Sequence, residues 1–221
     1  LLANAGMIPV RDGFLEGLRE ATARLGILLI FDEVISFRVP PAGAQQRFGI
    51  RPDVTTLGKI IGGGLAVGAF GGRAEVMNFY DPRGGKGRIN HGGTFNANPL
   101  TMGGGVATME QLTPEAYSRL DTLGNRHREG VSRVLRKQKY PGQIAGTGSL
   151  FWLHHTKKRL SDYRSQRPED PRAPVATFMA LVNEGFLISQ RGLGACSVAM
   201  ADADVDRFVE AVARVLTARS S

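Results

Sequence analysis

The chain has 221 residues, which is enough to bury a hydrophobic core in one or two domains. Its hydrophobic fraction of 42% and charged fraction of 22% are ordinary for a globular protein, and no apolar run approaches the roughly 20 residues that span a bilayer. A single cysteine, Cys196, excludes an intrachain disulfide framework, and no basic and apolar leader begins the sequence. These features predict a cytoplasmic protein without a membrane segment.

The formal net charge is +8 at pH 7, and basic residues cluster at 126–128, 136–139 and 157–159. Such clusters can form a nucleic-acid-binding face. They lack interleaved aromatic residues and match no known nucleic-acid-binding module, so solvated helix faces are the favoured interpretation and no nucleic-acid partner is expected. The four histidines and the cysteine lack the spacing of a metal site, and no metal is expected.

The first part of the chain alternates predicted helix and strand. Apolar residues recur at helical spacing from Phe14 to Leu25. The apolar run from Ile27 to Phe31 predicts a strand that is buried on both faces, as in a parallel sheet. Further short strands are predicted at 53–57 and 67–71, on either side of the triple glycine 62–64, which allows a sharp turn.

The remainder of the chain also predicts a mixture of helices and strands. In chain order these are helices at 99–112 and 114–139, a strand at 148–154, a helix at 175–185, strands at 186–189 and 195–200, and a final helix with an apolar stripe from Val205 to Leu216. Three glycines at 103–105 predict that the helix there packs closely against a neighbour. Pro141-Gly142 is the predicted domain boundary, which divides the chain into 1–140 and 141–221.

Two reactive side chains follow neighbouring predicted strands. Asp32 comes directly after an apolar strand and is expected to be partly buried, while Lys59 lies between the strand 53–57 and the glycines 62–64. An amine and a carboxylate on neighbouring strand ends are what pyridoxal phosphate chemistry needs. The lysine forms a Schiff base with the cofactor, and the aspartate keeps the pyridine nitrogen protonated, so that the ring accepts electrons. A structural ion pair is the alternative for Asp32.

In their order and spacing these motifs resemble the class III (fold type I) pyridoxal-phosphate aminotransferases, and are most similar to the branch around glutamate-1-semialdehyde 2,1-aminomutase. Several ordered motifs make this resemblance more specific than one glycine-rich match. The matching segments are Phe31-Asp32-Glu33-Val34, Ser36-Phe37-Arg38, Asp53-Val54, Gly58-Lys59, Gly62-Gly63-Gly64, Val67 to Arg73 and Gly92 to Leu100.

The resemblance implies an α/β fold. Residues 1–140 would be the C-terminal portion of the cofactor-binding large domain, a mostly parallel sheet with helices on both faces, and residues 141–221 a small α+β domain. It also implies that the chain is the C-terminal part of a longer enzyme, whose remaining part holds the main phosphate-binding turn and the aromatic residue that stacks on the cofactor. The isolated fragment is then expected to be inactive.

The resemblance assigns roles to residues near the first two predicted strands. Lys59 corresponds to the Schiff-base lysine, Asp32 to the partner of the ring nitrogen, and Val34 to a residue against the face of the ring. Glu33 points to the opposite side of its strand by alternation, and no cofactor contact is expected from it.

Further cofactor contacts are implied at Gly93, Thr94 and Asn4. Thr94 follows two glycines, so its hydroxyl and the nearby backbone amides can approach an anion. In the family this loop reaches the phosphate of the neighbouring subunit's cofactor, which implies a homodimer with shared active sites. Asn4 corresponds to a residue near the phenolic oxygen of the cofactor.

The implied function is a pyridoxal-phosphate-dependent transaminase that acts on an amino compound and an oxo or aldehyde acceptor. Two departures from the family pattern stand out: the loop after Asp32 lacks a glycine between Ser36 and Phe37, and the stretch 188–197 lacks the acidic and aromatic segment of the aminomutase. The second departure favours a transaminase over the alternative, glutamate-1-semialdehyde 2,1-aminomutase, an isomerase that transfers the amino group intramolecularly. A truncated, inactive chain that serves only in dimerisation or other interactions is the alternative of another class.

Overall fold

The computed structural model describes residues 3–83 and 89–218, which form two compact units. The central unit comprises residues 12–114, and the terminal unit comprises residues 3–11 together with 115–218. The compact units therefore divide at Pro114, and the long helix that begins there groups with the C-terminal sheet. The boundary at 140/141, which concerns the domains of the family, stays a prediction.

The described part of the central unit contains three strands and four α-helices. In chain order they are α1 (Phe14–Arg24), β1 (Ile30–Asp32), α2 (Ala44–Phe48), β2 (Val54–Gly58), β3 (Gly68–Gly72), α3 (Ala74–Met77) and α4 (Pro99–Gln111). Short 3-10 turns at 36–38, 59–62 and 78–80 connect them. The helices predicted around α1 and α4 are confirmed, whereas the two shortest helices, α2 and α3, lack a periodic pattern and were not predicted.

The central sheet has the order β1-β2-β3. β1 lies parallel to β2, with Asp32 beside Thr56. β3 runs antiparallel to β2, with Gly68 opposite Gly58. The strands predicted at 53–57 and 67–71 are thus confirmed in position, and the sheet of this unit is mixed, because the chain reverses direction between β2 and β3.

The apolar run before Asp32 is buried on one side only within this chain. Leu29 is buried, whereas about half of the surface of Ile27, Leu28 and Ile30 is exposed. The prediction of a strand covered on both faces is therefore wrong for this chain. The described strand also begins three residues later than predicted and includes Asp32. Apolar composition alone does not reveal whether a second layer covers a strand.

The terminal unit packs three helices around a small antiparallel sheet of order β4-β5-β6. Its elements are α5 (Pro114–Lys137), β4 (Gln143–Thr147), β5 (Leu150–His154), α6 (Ala173–Asn183), β6 (Leu193–Ala195) and α7 (Asp202–Thr217). The three predicted helices and the strand at 148–154 are confirmed. The strand predicted at 186–189 is wrong, the one predicted at 195–200 lies at 193–195, and β4 was not predicted.

The core of the terminal unit lies between β5 and the apolar faces of α5, α6 and α7. Every residue of β5 is buried, and the stripe predicted on the last helix faces this core. The core residues are Val131, Leu135, Phe151, Leu153, Leu181, Ile188, Phe208, Ala211, Val212, Val215 and Leu216. Within the described ranges, no helix combines the length and the apolar composition that crossing a bilayer requires.

The two arginines of the basic run 126–128 form hydrogen bonds within the terminal unit. Arg126 donates two hydrogen bonds, of 2.8 and 2.6 Å, to the carboxylate of Asp206 on α7. Arg128 donates to the carbonyl oxygens of Gly148 and Leu150, both at 2.8 Å. Much of the charge of this run is therefore engaged with groups of the same unit.

Three histidines are buried in the terminal unit, His127, His154 and His155, and two of them have a shifted pKa. The ring of His127 stacks on Phe151 with 4.8 Å between centroids, and its Nδ1 has no hydrogen-bond partner among the described residues. His154 Nε2 lies 2.8 Å from the carbonyl oxygen of Gly6, so the neutral ring donates its proton there. Burial lowers the pKa of His127 and of His154 to about 4, helped at His127 by the charge of Arg128.

The low pKa values of His127 and His154 predict that the terminal unit loses stability in mild acid. Because each pKa is lower in the folded chain than its ordinary value near 6.5, the stabilisation is complete above that value and is lost as the pH falls toward 4. Urea denaturation between about pH 7.5 and about pH 5 should show a loss of about 2 kcal/mol for each histidine. The variant His127→Phe, which keeps a ring against Phe151, should lose about half of this pH dependence. An unchanged dependence would exclude His127 as a titrating group.

Candidate active site

Lys59 follows β2 directly and begins the 3-10 turn 59–62. Its backbone has φ = 53°, in the left-handed region that residues with a side chain rarely adopt. The left-handed conformation costs such a residue on the order of 1 kcal/mol or more and persists only where the surrounding structure imposes it. The side chain of Lys59 is exposed, so the strained backbone presents a reachable amine.

Contacts between glycines hold this turn against α4. A Cβ atom on Gly63 would lie 2.1 Å from the carbonyl oxygen of Gly104, and one on Gly105 would lie 2.3 Å from the carbonyl oxygen of Ile61. Neither position can carry a side chain without moving the backbone. The sequence prediction that the glycines at 103–105 permit close packing is confirmed, and the partner of the helix is the turn that begins with Lys59.

The helix α4 has a well-formed N terminus that fixes where it starts. Asn98 is its N-cap, and Oδ1 of this residue accepts hydrogen bonds from the amides of Leu100 at 3.0 Å and Thr101 at 3.3 Å. Pro99 occupies the first helical position, where the absence of an N–H costs nothing. The cap places the glycines of α4 in register with the lysine turn.

Asp32 ends β1, beside the strand that leads to Lys59. Its partner in the sheet is Thr56, three residues before the lysine, and the two strands are parallel. The carboxylate is exposed in this chain, contrary to the expectation of partial burial, and its Oδ1 accepts a hydrogen bond of 3.0 Å from the amide of Val34. Parallel strands end at the same edge of a sheet, so Asp32 and Lys59 follow neighbouring strands at that edge.

Val34 connects the two strand ends. Its methyl groups lie 3.4 and 3.6 Å from the position that a Cβ atom on Gly58 would take. The segment after Asp32 therefore packs against the residue directly before Lys59. A Cβ atom at position 58 would be in ordinary van der Waals contact with Val34 and slightly closer, at 3.3 Å, to the carbonyl oxygen of Val67.

Glu33 anchors the loop that follows, a function that the sequence analysis did not find. This carboxylate is buried and accepts hydrogen bonds from Ser36 Oγ at 2.5 Å and from the amides of Ala44 at 2.8 Å and Gln45 at 2.7 Å. The shortened loop is thus tied to the end of β1 on one side and to α2 on the other. Asp32 is exposed and the next residue, Glu33, is buried, which agrees with the alternation of successive side chains in an extended segment.

The other sequence-predicted residues are Gly93, Thr94 and Asn4. Gly93 and Thr94 are exposed at the start of the turn before α4, and the carbonyl oxygen of Gly93 accepts a hydrogen bond of 3.0 Å from the amide of Asn96. No contact described for them reaches Asp32 or Lys59. Asn4 is exposed in a short 3-10 turn of the terminal unit. Within the described ranges, no group of three or more His, Cys, Asp or Glu side chains is placed to hold a metal ion.

Comparisons with known proteins identify the family of this chain. The sequence matches the family described as Aminotransferase class-III over residues 1–216. The chain therefore belongs to the class III aminotransferases.

Three relatives show the range of the similarity. Glutamate-1-semialdehyde 2,1-aminomutase 2 of Brevibacillus brevis is 41% identical over 94% of this chain and 49% of its own length. The beta-phenylalanine transaminase of Variovorax paradoxus is 41% identical over 94% of this chain and 48% of its own. A crystal structure of an omega-transaminase from Sphaerobacter thermophilus has a TM-score of 0.94 and 47% identity, over 98% of this chain and 50% of that one. The chain spans about half the length of the relatives that it matches.

The family implies pyridoxal phosphate as cofactor, and the residues present fit its chemistry. An exposed lysine amine can bind an aldehyde covalently. The exposed carboxylate of Asp32 has an oxygen beyond the one that the amide of Val34 engages, and can face a protonated ring nitrogen. Both groups follow adjacent parallel strands.

The contact between the lysine turn and α4 gives a prediction with a matched control on the same helix. Gly105→Ala should lower the free energy of unfolding by about 2 kcal/mol, because the new methyl group meets the carbonyl oxygen of Ile61. Gly103→Ala places a methyl group where no atom lies within 4 Å and should be neutral or stabilise by about 0.5 kcal/mol. Chemical denaturation of both variants measures the difference. Equal stabilities would mean that the close approach is not a constraint.

Proposed function

We propose that this chain is the catalytic part of a pyridoxal-phosphate-dependent transaminase, which moves an amino group from an amino compound to an oxo or aldehyde acceptor. The observation that carries the proposal is the pair formed by Lys59 and Asp32. The lysine amine is presented by a strained turn, and the carboxylate ends the adjacent parallel strand. Backbone strain of this kind is concentrated at functional sites.

Each residue has a defined task in this proposal. Lys59 Nζ would hold the cofactor through its aldehyde carbon and would carry a proton to and from the substrate carbon that bears nitrogen. Asp32 would keep the ring nitrogen protonated, and Val34 would lie against the face of the ring. The bound cofactor supplies a conjugated ring that accepts the electron pair freed at the substrate carbon.

A glutamate-1-semialdehyde 2,1-aminomutase is the second candidate, because two relatives at 41% identity carry that name. The transaminase is preferred because the stretch 188–197 lacks the aminomutase segment and because an omega-transaminase is 47% identical. The two reactions differ in their substrate requirement. A transaminase needs an amino donor and a separate acceptor, whereas the aminomutase converts glutamate-1-semialdehyde alone. Turnover of that single compound, with none of paired donors and acceptors, would reverse the preference.

We further propose a homodimer with shared active sites. Large apolar side chains beside Thr94 are exposed in this chain, with Phe95 82% and Leu100 77% exposed. Surfaces of this kind are characteristic of protein interfaces. The cytoplasm is the proposed compartment, on the basis of a single cysteine in the sequence.

Lys59→Ala provides the direct test of the central assignment. In the native protein with pyridoxal phosphate, borohydride should fix the cofactor to the peptide that contains Lys59, as detected by mass spectrometry. Lys59→Ala should lose this label and lower kcat by at least about a thousandfold, because the proton carrier is lost. Lys139→Ala is the matched control, since Lys139 is also exposed and has φ = 52°. Full activity without Lys59 would contradict the proposal, and a native protein that never takes the label would support a noncatalytic role.

Mixing inactive variants tests the shared site. When Lys59→Ala and Thr94→Ala subunits form a hybrid dimer, one site combines both defects and the other is intact, so activity should return to part of the native value. The control pair Lys59→Ala and Asp32→Asn should show no rescue. Asp32 ends β1 and Lys59 follows the paired strand β2 of the same chain, so each hybrid site keeps one defect. Absence of rescue in a verified Thr94 hybrid would place Thr94 outside a shared site.

A further inference from the structure

Asp53 is a buried carboxylate directly before β2 whose two oxygens both accept hydrogen bonds. Its side chain is 5% exposed. Oδ2 accepts from the amide of Leu29 at 2.8 Å and from Arg19 Nη1 at 2.9 Å, and Oδ1 accepts from Arg73 Nη1 at 3.0 Å. A carboxylate that is desolvated in this way is stable only because charged and backbone donors replace water.

The donors come from three different elements of the central unit. Leu29 lies just before β1, Arg19 lies on α1, and Arg73 follows β3 directly. The backbone strengthens the same junction, because the amide of Asp53 donates to the carbonyl oxygen of Leu29 at 2.8 Å and the amide of Arg73 donates to the carbonyl oxygen of Asp53 at 2.9 Å. Asp53 therefore joins the start of β1, the start of β2 and the end of β3.

This junction lies at the opposite end of the strands from Asp32 and Lys59. β1 has three residues, so few hydrogen bonds with β2 define how the two strands align. The observed register pairs Ile30 with Val54 and Asp32 with Thr56. A slip of one residue would turn the side chain of Asp32 to the other face of the sheet, because side chains alternate along a strand. The bond from the amide of Leu29 to Asp53 opposes that slip.

We propose that Asp53 is a positioning residue: it fixes the register of β1 on β2 and thereby sets where Asp32 stands relative to Lys59. The catalytic meaning of this inference rests on the proposed function, whereas the effect on register does not. The carboxylate keeps its charge at working pH, because the hydrogen bonds from the Leu29 amide and from Arg73 lower the pKa of Asp53 to about 2.

The first readout is independent of the cofactor. The amide of Glu33 donates a hydrogen bond of 2.9 Å to the carbonyl oxygen of Thr56, which continues the β1–β2 register by one residue. In the native protein without cofactor, Asp53→Asn should raise the hydrogen exchange rate of this amide roughly tenfold or more. Arg73→Gln, a milder change that keeps the buried carboxylate, should do the same to a smaller extent and serves if Asp53→Asn does not fold.

The matched control is Arg214→Gln in the terminal unit. Arg214 and Arg73 are similarly exposed, 56% and 52%, and each pairs with a carboxylate, Arg214 with Glu184 at 2.7 Å. Each variant therefore removes the charge of a similarly exposed arginine, but only Arg73→Gln takes a donor from a buried carboxylate, since Asp53 is 5% exposed and Glu184 is 32% exposed. Arg214→Gln should leave the exchange of the Glu33 amide unchanged.

The second readout uses the loaded protein. The pH titration of the bound cofactor's absorbance should shift by about one pH unit in Asp53→Asn, because the charge of Asp32 is displaced from the ring. The value of kcat should fall by about a hundredfold, as misplacement by one ångström can cause. An unchanged hydrogen exchange rate at the Glu33 amide in Asp53→Asn would overturn the inference. A changed exchange rate would also overturn it if the pH titration of the cofactor stayed the same while Lys59 still took the borohydride label. Absence of that label in the unaltered protein would instead contradict the proposed function. The exchange rate of the Glu33 amide would then test only the effect of Asp53 on the β1–β2 register.

Discussion

The central unit depends on one close approach of two backbones. The turn that begins with Lys59 lies so near α4 that two carbonyl oxygens occupy the space of the missing side chains at Gly63 and Gly105. This contact holds a lysine in a left-handed conformation and orients its amine. Side-chain packing cannot replace it, since any side chain at either glycine would separate the two segments. The position of the lysine turn therefore depends on the absence of side chains at Gly63 and Gly105.

Three carboxylates of the same sheet take different roles because their surroundings differ. Asp32 is exposed and has one backbone donor, so it can bind a cationic partner. Glu33, the next residue, is buried and holds a loop through three donors. Asp53 is buried between two arginines and a backbone amide. Of the three, Asp32 has the fewest donors and the most spare acceptor capacity, and it ends the strand beside the one that leads to Lys59.

Much of the fold could be predicted from the sequence, since long helices leave a periodic pattern of apolar residues. The stripe on α7 and the helix from Pro114 are of this kind. The direction of β3 could not be predicted, because a short apolar strand reads the same in either direction. The strand expected at 186–189 is a loop that supplies Ile188 to the core, so its apolar character reflects burial without strand pairing.

Within the site, the sequence pointed to Lys59, Asp32 and Val34, because motif order and glycines mark them. Their roles toward the cofactor stay predictions. The anchoring by Glu33 and the junction at Asp53 depend on donors 12 and 24 residues away along the chain, and no local pattern encodes such distances. Asp53 did stand out as part of a motif, but its partners Arg19 and Arg73 became visible only in three dimensions.

The left-handed backbone at position 59 sets activity against stability. Asparagine and glycine adopt this conformation at lower cost than lysine does. Either residue would therefore recover part of the backbone strain, which is on the order of 1 kcal/mol. The amine at this position is then maintained by selection for chemistry, against the preference of the backbone. In a copy of this gene without selection for activity, Lys59 could be replaced without loss of stability. The glycines that hold the turn would still be selected, because the fold requires them.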